Sequence, residues 1–148
     1  MLKKNVFENV FYIFLGIFLA LSVQKVLSLA LKTDLPIVAV ASGSMVHDCL
    51  INKTLYEWLE KKFNYSYEKI KSWPVKRGFG IGDVLIIKKE EKYKVGDVVV
   101  FDVKDCEPAP IVHRIIFVNK DGSYQTKGDH NDYQIVKKFL GKVCYDER

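Results

Sequence analysis

An uncharged apolar run near the N-terminus constrains the fold of this chain more than any other feature. Residues 9–24 hold sixteen consecutive uncharged side chains, and apolar residues continue past Lys25 to Leu31. A helix that crosses a bilayer needs about 20 largely apolar residues, and a lysine near its end reaches the interface with its long side chain. Residues 6–31 therefore predict a transmembrane helix with Lys25 near its outer end.

The charges around this run predict its orientation. Lys3 and Lys4 precede it, and the positive-inside bias then places the N-terminus in the cytoplasm and residues 33–148 outside. A cleaved secretory signal, with a small-residue site at 28–30, is the alternative. The apolar character that continues to Leu31 favours a retained anchor in the cell membrane, and both interpretations export the rest of the chain.

Composition limits the function classes that remain. The chain has 148 residues, of which 49% are hydrophobic and 28% charged, so we expect one folded domain and not a disordered chain. Of the net charge of +5, residues 1–32 carry +3 and the other 116 residues only +2. A nucleic-acid-binding domain is typically far more basic, so we expect no nucleic acid partner.

The cysteines predict neither a disulfide framework nor a metal site. There are three, Cys49, Cys106 and Cys144, and no two of them have the spacing of zinc ligands. We expect small, partly buried thiols, with one disulfide left open because the domain is exported. The chain also has no phosphate-binding loop, so we expect no metal and no cofactor.

Residues 33–148 predict a mainly β domain with a helical insertion at about 49–77. In the insertion, Thr54 and Glu57 form a capping box, and Leu55, Trp58 and Leu59 follow at helical spacing as a face for core packing. The architecture predicted is two packed sheets or a partly closed antiparallel barrel behind the anchor of residues 1–32. The strand predictions rest on runs rich in Val, Ile and Phe at 37–41, 84–88, 98–103 and 111–119, a hairpin return at 123–127 and a closing strand at 141–145.

Three separated places carry candidate chemistry. Ser42 and Ser44 flank a glycine directly after a predicted strand, His113 lies inside an apolar strand, and residues 126–132 hold two carboxylates. Each pattern alone also suits an ordinary loop, a core histidine or a solvated turn. A serine nucleophile needs a base, and a histidine base needs an acid, so the chain contains all three parts without proof that they meet.

The chain resembles the type I signal peptidases in four blocks of sequence. In archaeal and endoplasmic-reticulum members of that family, histidine stands in place of the bacterial lysine, and this chain has that histidine. The four blocks occur in the family's order behind an N-terminal anchor and cover nearly everything outside the insertion. They are IVAVASGSM at 37–45, GDVVVF at 96–101, PIVHR at 110–114 and TKGDHN at 126–131.

The resemblance implies a role for each matching residue. It makes Ser44 the nucleophile and His113 the general base, and Ser42 matches the position that supplies a hydroxyl to the oxyanion hole. Asp129 matches the family's Gly-Asp pair, but the second acid of the family, several residues further on, has no match at the usual spacing. We expect Asp132 to orient His113 and Asp129 to support it.

His47, three residues after the nucleophile, is the rival base. It matches no block of the family, so His113 is favoured. The stretch that follows Ser44-Met45 also departs from the family pattern, and the insertion adds residues that the simplest members lack.

The resemblance further implies a membrane-bound serine endopeptidase that removes signal peptides from secretory preproteins. The substrate is expected to pair with a strand edge at 37–41 or 111–115, where Ile37, Val38, Val40 and Ile111 would form its binding site. Membrane lipid and the protein translocation machinery are the other expected partners. Two alternatives are a non-catalytic membrane-anchored β module that binds a translocon or envelope partner, and a self-cleaving regulator. The second lacks support because no DNA-binding segment precedes the domain.

Overall fold

The computed structural model describes residues 2–47, 53–103, 106–107, 109–139 and 142–148. The chain divides into two compact units. The first comprises Met1–Val38 with Leu85–Glu90, and the second comprises Ala39–Val84 with Glu91–Arg148. Every residue discussed below as a candidate for catalysis belongs to the second unit.

The first unit is built on one long helix, α1 (Leu2–Leu31). Its segment Val6–Leu31 is 26 residues long with a mean hydropathy of 2.1, and its side chains are not buried by the rest of the protein. A helix that is apolar all round and unburied needs an apolar surrounding, so α1 has the length and composition of a membrane span, as the sequence predicts.

A two-stranded sheet joins β1 (Ile37–Ala39) to β2 (Val84–Ile86). Beyond β1, the backbone of Val40 exchanges hydrogen bonds with the opposite chain, donating to Asp83 and accepting from Gly82. The pairing holds the chain extended until Val40, directly before the Ser42-Gly43-Ser44 segment.

The central sheet consists of β3 (Val98–Phe101), β4 (Ile111–Val118) and β5 (Tyr124–Lys127) in the order β3-β4-β5. All neighbours are antiparallel, with Val99 opposite His113 and Arg114 opposite Lys127. Since the pairing of β4 with β5 begins only at Arg114, no described strand lies beside residues 111–113 on that side.

The last two strands, β6 (Val136–Phe139) and β7 (Lys142–Asp146), form a hairpin. Beyond β7, Glu147 continues the pairing, because its N–H donates to the Ile135 carbonyl and its carbonyl accepts from the Thr126 N–H. The C-terminal segment is thereby attached to the end of β5.

The insertion folds as α2 (Lys53–Phe63) and α3 (Tyr67–Lys71), and it packs on the central sheet. Leu55, Leu59, Ile70 and Trp73 form one buried cluster with Ile116 of β4. Burial of the side chains at 55 and 59 confirms the predicted packing face, of which Trp58 is partly buried.

The sequence predicts most of this architecture. The strands at 37–39, 84–86, 98–101, 111–118, 124–127 and 142–146 lie within one or two residues of the predicted runs, and the fold is confirmed as mainly small antiparallel sheets. The described residues form three sheets and no closed barrel. β6 is not predicted, because its sequence VKKF alternates too briefly to stand out.

The prediction of free thiols is wrong at one position. Cys106 is disulfide-bonded, so the pairing that the sequence left open exists. The side chains of Cys49 and Cys144 lie outside the described part of the chain.

The insertion core gives the first testable prediction. Leu59 has no exposed surface, so Leu59→Ala leaves a cavity between α2 and β4 and lowers the free energy of unfolding by about 2–5 kcal/mol. Denaturant unfolding of the full chain in detergent measures this loss. The matched control is Leu35→Ala, at a side chain that is 44% exposed, for which the loss stays below about 1 kcal/mol. Equal losses in the two variants would contradict a packed insertion.

Candidate active site

The Ser42-Gly43-Ser44 segment forms a tight turn at the end of the extended chain. The Val46 N–H donates to the Gly43 carbonyl at 3.1 Å, and the following Met45 side chain is only 1% exposed. The hydroxyl oxygens of Ser42 and Ser44 lie 3.2 Å apart. The turn presents two hydroxyls side by side on a backbone that a buried residue anchors.

Backbone hydrogen bonds from two other segments hold this turn. The Met45 carbonyl accepts from the Phe79 N–H at 2.9 Å, and the Ser44 carbonyl accepts from the His130 N–H at 2.8 Å. Gly78 has φ of +67°, and a Cβ on it would lie 2.1 Å from the Met45 carbonyl oxygen. Only glycine permits this approach, so the backbone of the turn has one available position.

His113 lies in β4 with its side chain 4% exposed. Its ring packs against the edge of Phe101, with 6.5 Å between the ring centroids. Its Nδ1 forms a hydrogen bond with Oε1 of Glu147, whose side chain is fully buried. One ring nitrogen is therefore committed to a carboxylate, and Nε2 is the nitrogen left for other chemistry.

Gly128 brings His113 and Ser44 together. A Cβ on Gly128 would lie 2.9 Å from His113 Nε2 and 2.9 Å from the Ser44 carbonyl oxygen, so the two residues approach the same small space. The described hydrogen bond of Ser44 Oγ is with Ser42, and within the described chain none joins it to His113 Nε2. A change in the Ser44 side-chain rotamer would redirect the hydroxyl without moving the backbone.

The Asn131 amide is an unsatisfied donor in the same space. Its Nδ2 lies 2.6 Å from the position that a Gly128 Cβ would take, and it is buried without a hydrogen-bond partner among the described residues. A buried amide without a partner costs about 1–3 kcal/mol. A substrate carbonyl or a water at this point would satisfy it.

The Glu147 carboxylate accepts hydrogen bonds at both oxygens. Oε1 accepts from Tyr145 at 2.8 Å as well as from His113, and Oε2 accepts from the Ile135 N–H. Burial, reinforced by the neighbouring Glu147 charge, raises the pKa of Tyr145 above its ordinary value. The phenol therefore stays protonated and donates.

A second buried carboxylate, Asp129, binds the guanidinium of Arg114 and the imidazole of His47. Arg114 donates to both of its oxygens, at 2.7 Å to Oδ2 and 2.9 Å to Oδ1, and His47 Nε2 lies 2.7 Å from Oδ2. Burial by itself raises the pKa of the Asp129 carboxyl, but the hydrogen bonds from His47 and Arg114 outweigh burial and hold that pKa below its ordinary value.

His47 is held between two acceptors. Its Nδ1 lies 2.8 Å from the Lys76 carbonyl oxygen and its Nε2 faces the ionised Asp129. Both ring nitrogens are therefore engaged by oxygen atoms of neighbouring residues. A ring engaged at both nitrogens has none left to accept the proton of a serine, which argues against His47 as the base.

The structure places the predicted site residues in two groups. Ser42, Ser44 and His113 lie together with Asp129 near the turn, whereas Asp132 is exposed and no described hydrogen bond links it to His113. The position predicted for Asp132 is occupied by Glu147. Of the residues predicted to bind substrate, Val40 is buried, Val38 and Ile111 are half-buried and Ile37 is 53% exposed; Ile37 and Val38 belong to the first unit.

Glu147 is the residue that sequence reasoning missed. Alternation along an extended strand puts residues 145 and 147 on the same face. The closing strand is predicted to end at Tyr145. Extending that prediction by two residues would have placed Glu147 on the same face as Tyr145.

Comparison with known proteins identifies similar chains. The signal peptidase complex catalytic subunit SEC11 of Eremothecium gossypii is 32% identical over 144 residues, which cover 91% of this chain and 68% of that protein. The SEC11 subunit of Candida tropicalis is 30% identical over 143 residues, or 94% of this chain and 66% of that protein. The chain thus spans about two thirds of the length of these relatives. No protein-family model and no solved structure matches it.

Asp129 contacts Arg114 and His47 in the buried interior, so we expect Asp129→Asn to lower the free energy of unfolding. The change leaves the buried Arg114 cation without its counter-charge and weakens the contact with His47, which costs about 3–5 kcal/mol of the free energy of unfolding. Denaturant unfolding in detergent measures it, with the exposed Asp132→Asn as the matched change in the same segment. A loss below about 1 kcal/mol at Asp129 would refute the network as a stabilising element.

Lys127 predicts a pH dependence of stability. Its side chain is fully buried, and this burial lowers its pKa to about 8 in spite of the nearby Asp129 and Glu147. Between pH 8 and 10 the unfolded chain keeps a proton that the folded chain has released. The free energy of unfolding of the wild type therefore rises with pH relative to Lys127→Met, by up to about 1.4 kcal/mol per pH unit.

Paired pH series of unfolding curves for the wild type and Lys127→Met measure this difference. Lys61→Met, at an exposed lysine of α2, provides the control, since its difference from the wild type stays constant over the same range. A constant difference for Lys127→Met as well would contradict the lowered pKa.

Proposed function

Since this chain belongs to the family of signal peptidase catalytic subunits, we propose that it is a membrane-bound serine endopeptidase that removes N-terminal signal peptides from secretory preproteins. Ser44 is the nucleophile and His113 the general base. The observation that carries the proposal is the approach of His113 Nε2 and the Ser44 backbone to the same space beside Gly128. Sequence similarity alone would not require these two residues to meet.

The tautomer of His113 supports its role as base. Nδ1 donates to the Glu147 carboxylate, so in the neutral ring Nε2 carries the lone pair. Once the Ser44 hydroxyl turns from Ser42 towards Nε2, the imidazole takes its proton as Oγ attacks the scissile carbonyl carbon. In apo proteins such catalytic hydrogen bonds are often absent until substrate binds.

Formation and hydrolysis of the acyl-enzyme both use Ser44 and His113. Oγ bonds to the carbonyl carbon, and the tetrahedral intermediate collapses with cleavage of the C–N bond as His113 returns the proton to the leaving amine. The signal peptide then remains as an ester on Ser44. A water attacks this ester while His113 takes its proton, and the proton returns to Ser44 as the acid product leaves.

Two donors are proposed to form the oxyanion hole. The Ser42 hydroxyl is hydrogen-bonded to Ser44 Oγ at 3.2 Å, and the Ser44 backbone N–H makes no hydrogen bond with another described residue. Once Ser44 Oγ turns towards His113, both groups can donate to the oxygen that becomes negative in the tetrahedral intermediate. A donor of this kind contributes about 3–4 kcal/mol to transition-state stabilisation.

The start of β4 offers an edge for an extended substrate. Residues 111–113 pair with β3 on one side, and no described strand lies on the other. A signal peptide that adds a strand here would gain main-chain hydrogen bonds directly beside His113. The side chains of Ile111 and Val40 are proposed to contact the residues of the signal peptide before the cleavage point. For Ile37 and Val38, which belong to the first unit, contact with the substrate stays a prediction from the sequence.

The membrane arrangement follows from α1. The family consists of membrane proteins, and we propose that Lys3 and Lys4 stay in the cytoplasm while the β domain faces the exported precursor. The similar proteins are named as subunits of a complex, so we propose assembly with further subunits. Membrane lipid and the translocation machinery are proposed as neighbours because the substrate arrives from them.

The test replaces the wild-type chain with single variants in membranes that contain its full set of partners. Cleavage of a labelled precursor is expected to fall more than about 10⁴-fold in Ser44→Ala and His113→Ala, and about 10²–10³-fold in Ser42→Ala. Ser72→Ala, the same change in the insertion, provides the control.

Equal cleavage by Ser44→Ala and the wild type would overturn the proposed enzyme and favour a non-catalytic module. Full activity of His113→Ala together with loss in His47→Ala would transfer the role of base to His47.

A further inference from the structure

The family resemblance assigns no role to Glu147, whose side chain forms a hydrogen bond with the candidate base His113. We propose that Glu147 is the positioning residue that orients His113 and stabilises its imidazolium, in place of an aspartate of the 126–132 segment. This inference rests on the proposed function, since it concerns the same base. The hydrogen bond between Glu147 Oε1 and His113 Nδ1, buried on both sides, is its first support.

The aspartates near the site are committed elsewhere. Both oxygens of Asp129 accept from Arg114, and Oδ2 also faces His47. Asp132 is exposed, so water screens whatever charge it presents to the ring. Within the described ranges, Glu147 is the carboxylate that contacts His113.

The donors around Glu147 keep its carboxylate available as an acceptor. The Tyr145 hydroxyl donates to Oε1 at 2.8 Å and the Ile135 N–H donates to Oε2. Since the carboxylate oxygens act as acceptors for these donors, Nδ1 of His113 is the donor of the hydrogen bond to Oε1. Nε2 is then left with the lone pair that faces the Ser44 side of the ring.

The backbone of Glu147 is fixed as firmly as its side chain. Its N–H donates to the Ile135 carbonyl at 3.1 Å, and its carbonyl accepts from the Thr126 N–H at 2.9 Å and from the Gln134 side chain at 2.5 Å. Lys62 of the insertion in turn donates to Gln134. These hydrogen bonds fix the position of Glu147 beside His113.

The test compares Glu147→Gln, Glu147→Asp and Asp132→Asn, with Glu68→Gln on the exposed face of α3 as the matched control. Glu147→Gln keeps the size and the Tyr145 contact but removes the charge. Its kcat for precursor cleavage is expected to fall about 10²–10⁴-fold while KM changes little, because the substrate edge is untouched. Glu147→Asp retains part of the lost rate.

Nitrogen NMR of histidine-labelled full-length protein in detergent gives a readout besides activity. The signals of His113 are identified by their loss in His113→Ala. The wild type is expected to carry the proton on Nδ1, and Glu147→Gln to lose that preference. A merely structural role for Glu147 would lower the unfolding midpoint without a change of tautomer in the folded protein.

Each outcome decides one part of the inference. An unchanged tautomer and unchanged kcat in Glu147→Gln would overturn it, and loss of kcat in Asp132→Asn with an active Glu147→Gln would return the role to Asp132. A changed tautomer in Glu147→Gln with full cleavage by Ser44→Ala would instead overturn the proposed function and leave the pairing of Glu147 with His113 intact.

Discussion

The buried guanidinium of Arg114 is the charge around which the catalytic unit is assembled. It is 2% exposed and donates to Asp129, to the Pro74 and Gly96 carbonyls at 2.8 Å and to the Val75 carbonyl at 3.1 Å. Burial of such a group costs several kcal/mol unless its donors are satisfied. The end of the insertion, the approach to β3 and the end of β5 must therefore all reach this one side chain.

His113 precedes Arg114 on the same strand, so the two side chains face opposite sides of the sheet. The cation fixes β4 from one face, and the base is presented from the other. Hydrogen bonds hold the Ser44 turn near both side chains. His47 is bonded to Asp129, the partner of Arg114, and the Ser44 carbonyl accepts from the His130 N–H beside Gly128, which adjoins His113. Ser44 and His113, the proposed nucleophile and base, are held in place by polar contacts of neighbouring residues, and no described hydrogen bond joins their side chains.

Sequence reasoning succeeded where the signal is local. An uncharged apolar run predicts α1, helical spacing predicts the insertion face at Leu55 and Leu59, and a return strand at 123–127 predicts the hairpin of β4 with β5. All three signals are local in the chain. Sequence reasoning gives no means of choosing the acid that contacts His113, because no local rule tells which way a carboxylate leaves a turn. The Asn131 N–H closes that turn on the Gly128 carbonyl at 3.1 Å, and the chain then exposes residue 132. Glu147 reaches His113 from 34 positions away, a distance that no spacing rule covers.

The negative charges of Asp129 and Glu147 are balanced by different groups. This difference determines which carboxylate is able to stabilise a protonated histidine. Asp129 is bound by the permanent positive charge of Arg114 as well as by His47, so a further cation beside it would gain little. The direct donors to Glu147 are an imidazole, a phenol and a backbone N–H, none of which carries a permanent charge. In the proposed mechanism, the imidazolium that forms when His113 takes the serine proton meets a negative charge that nothing else in direct contact has neutralised. A histidine base is stabilised by a negative charge next to Nδ1, and the acid that supplies this charge can lie anywhere in the sequence.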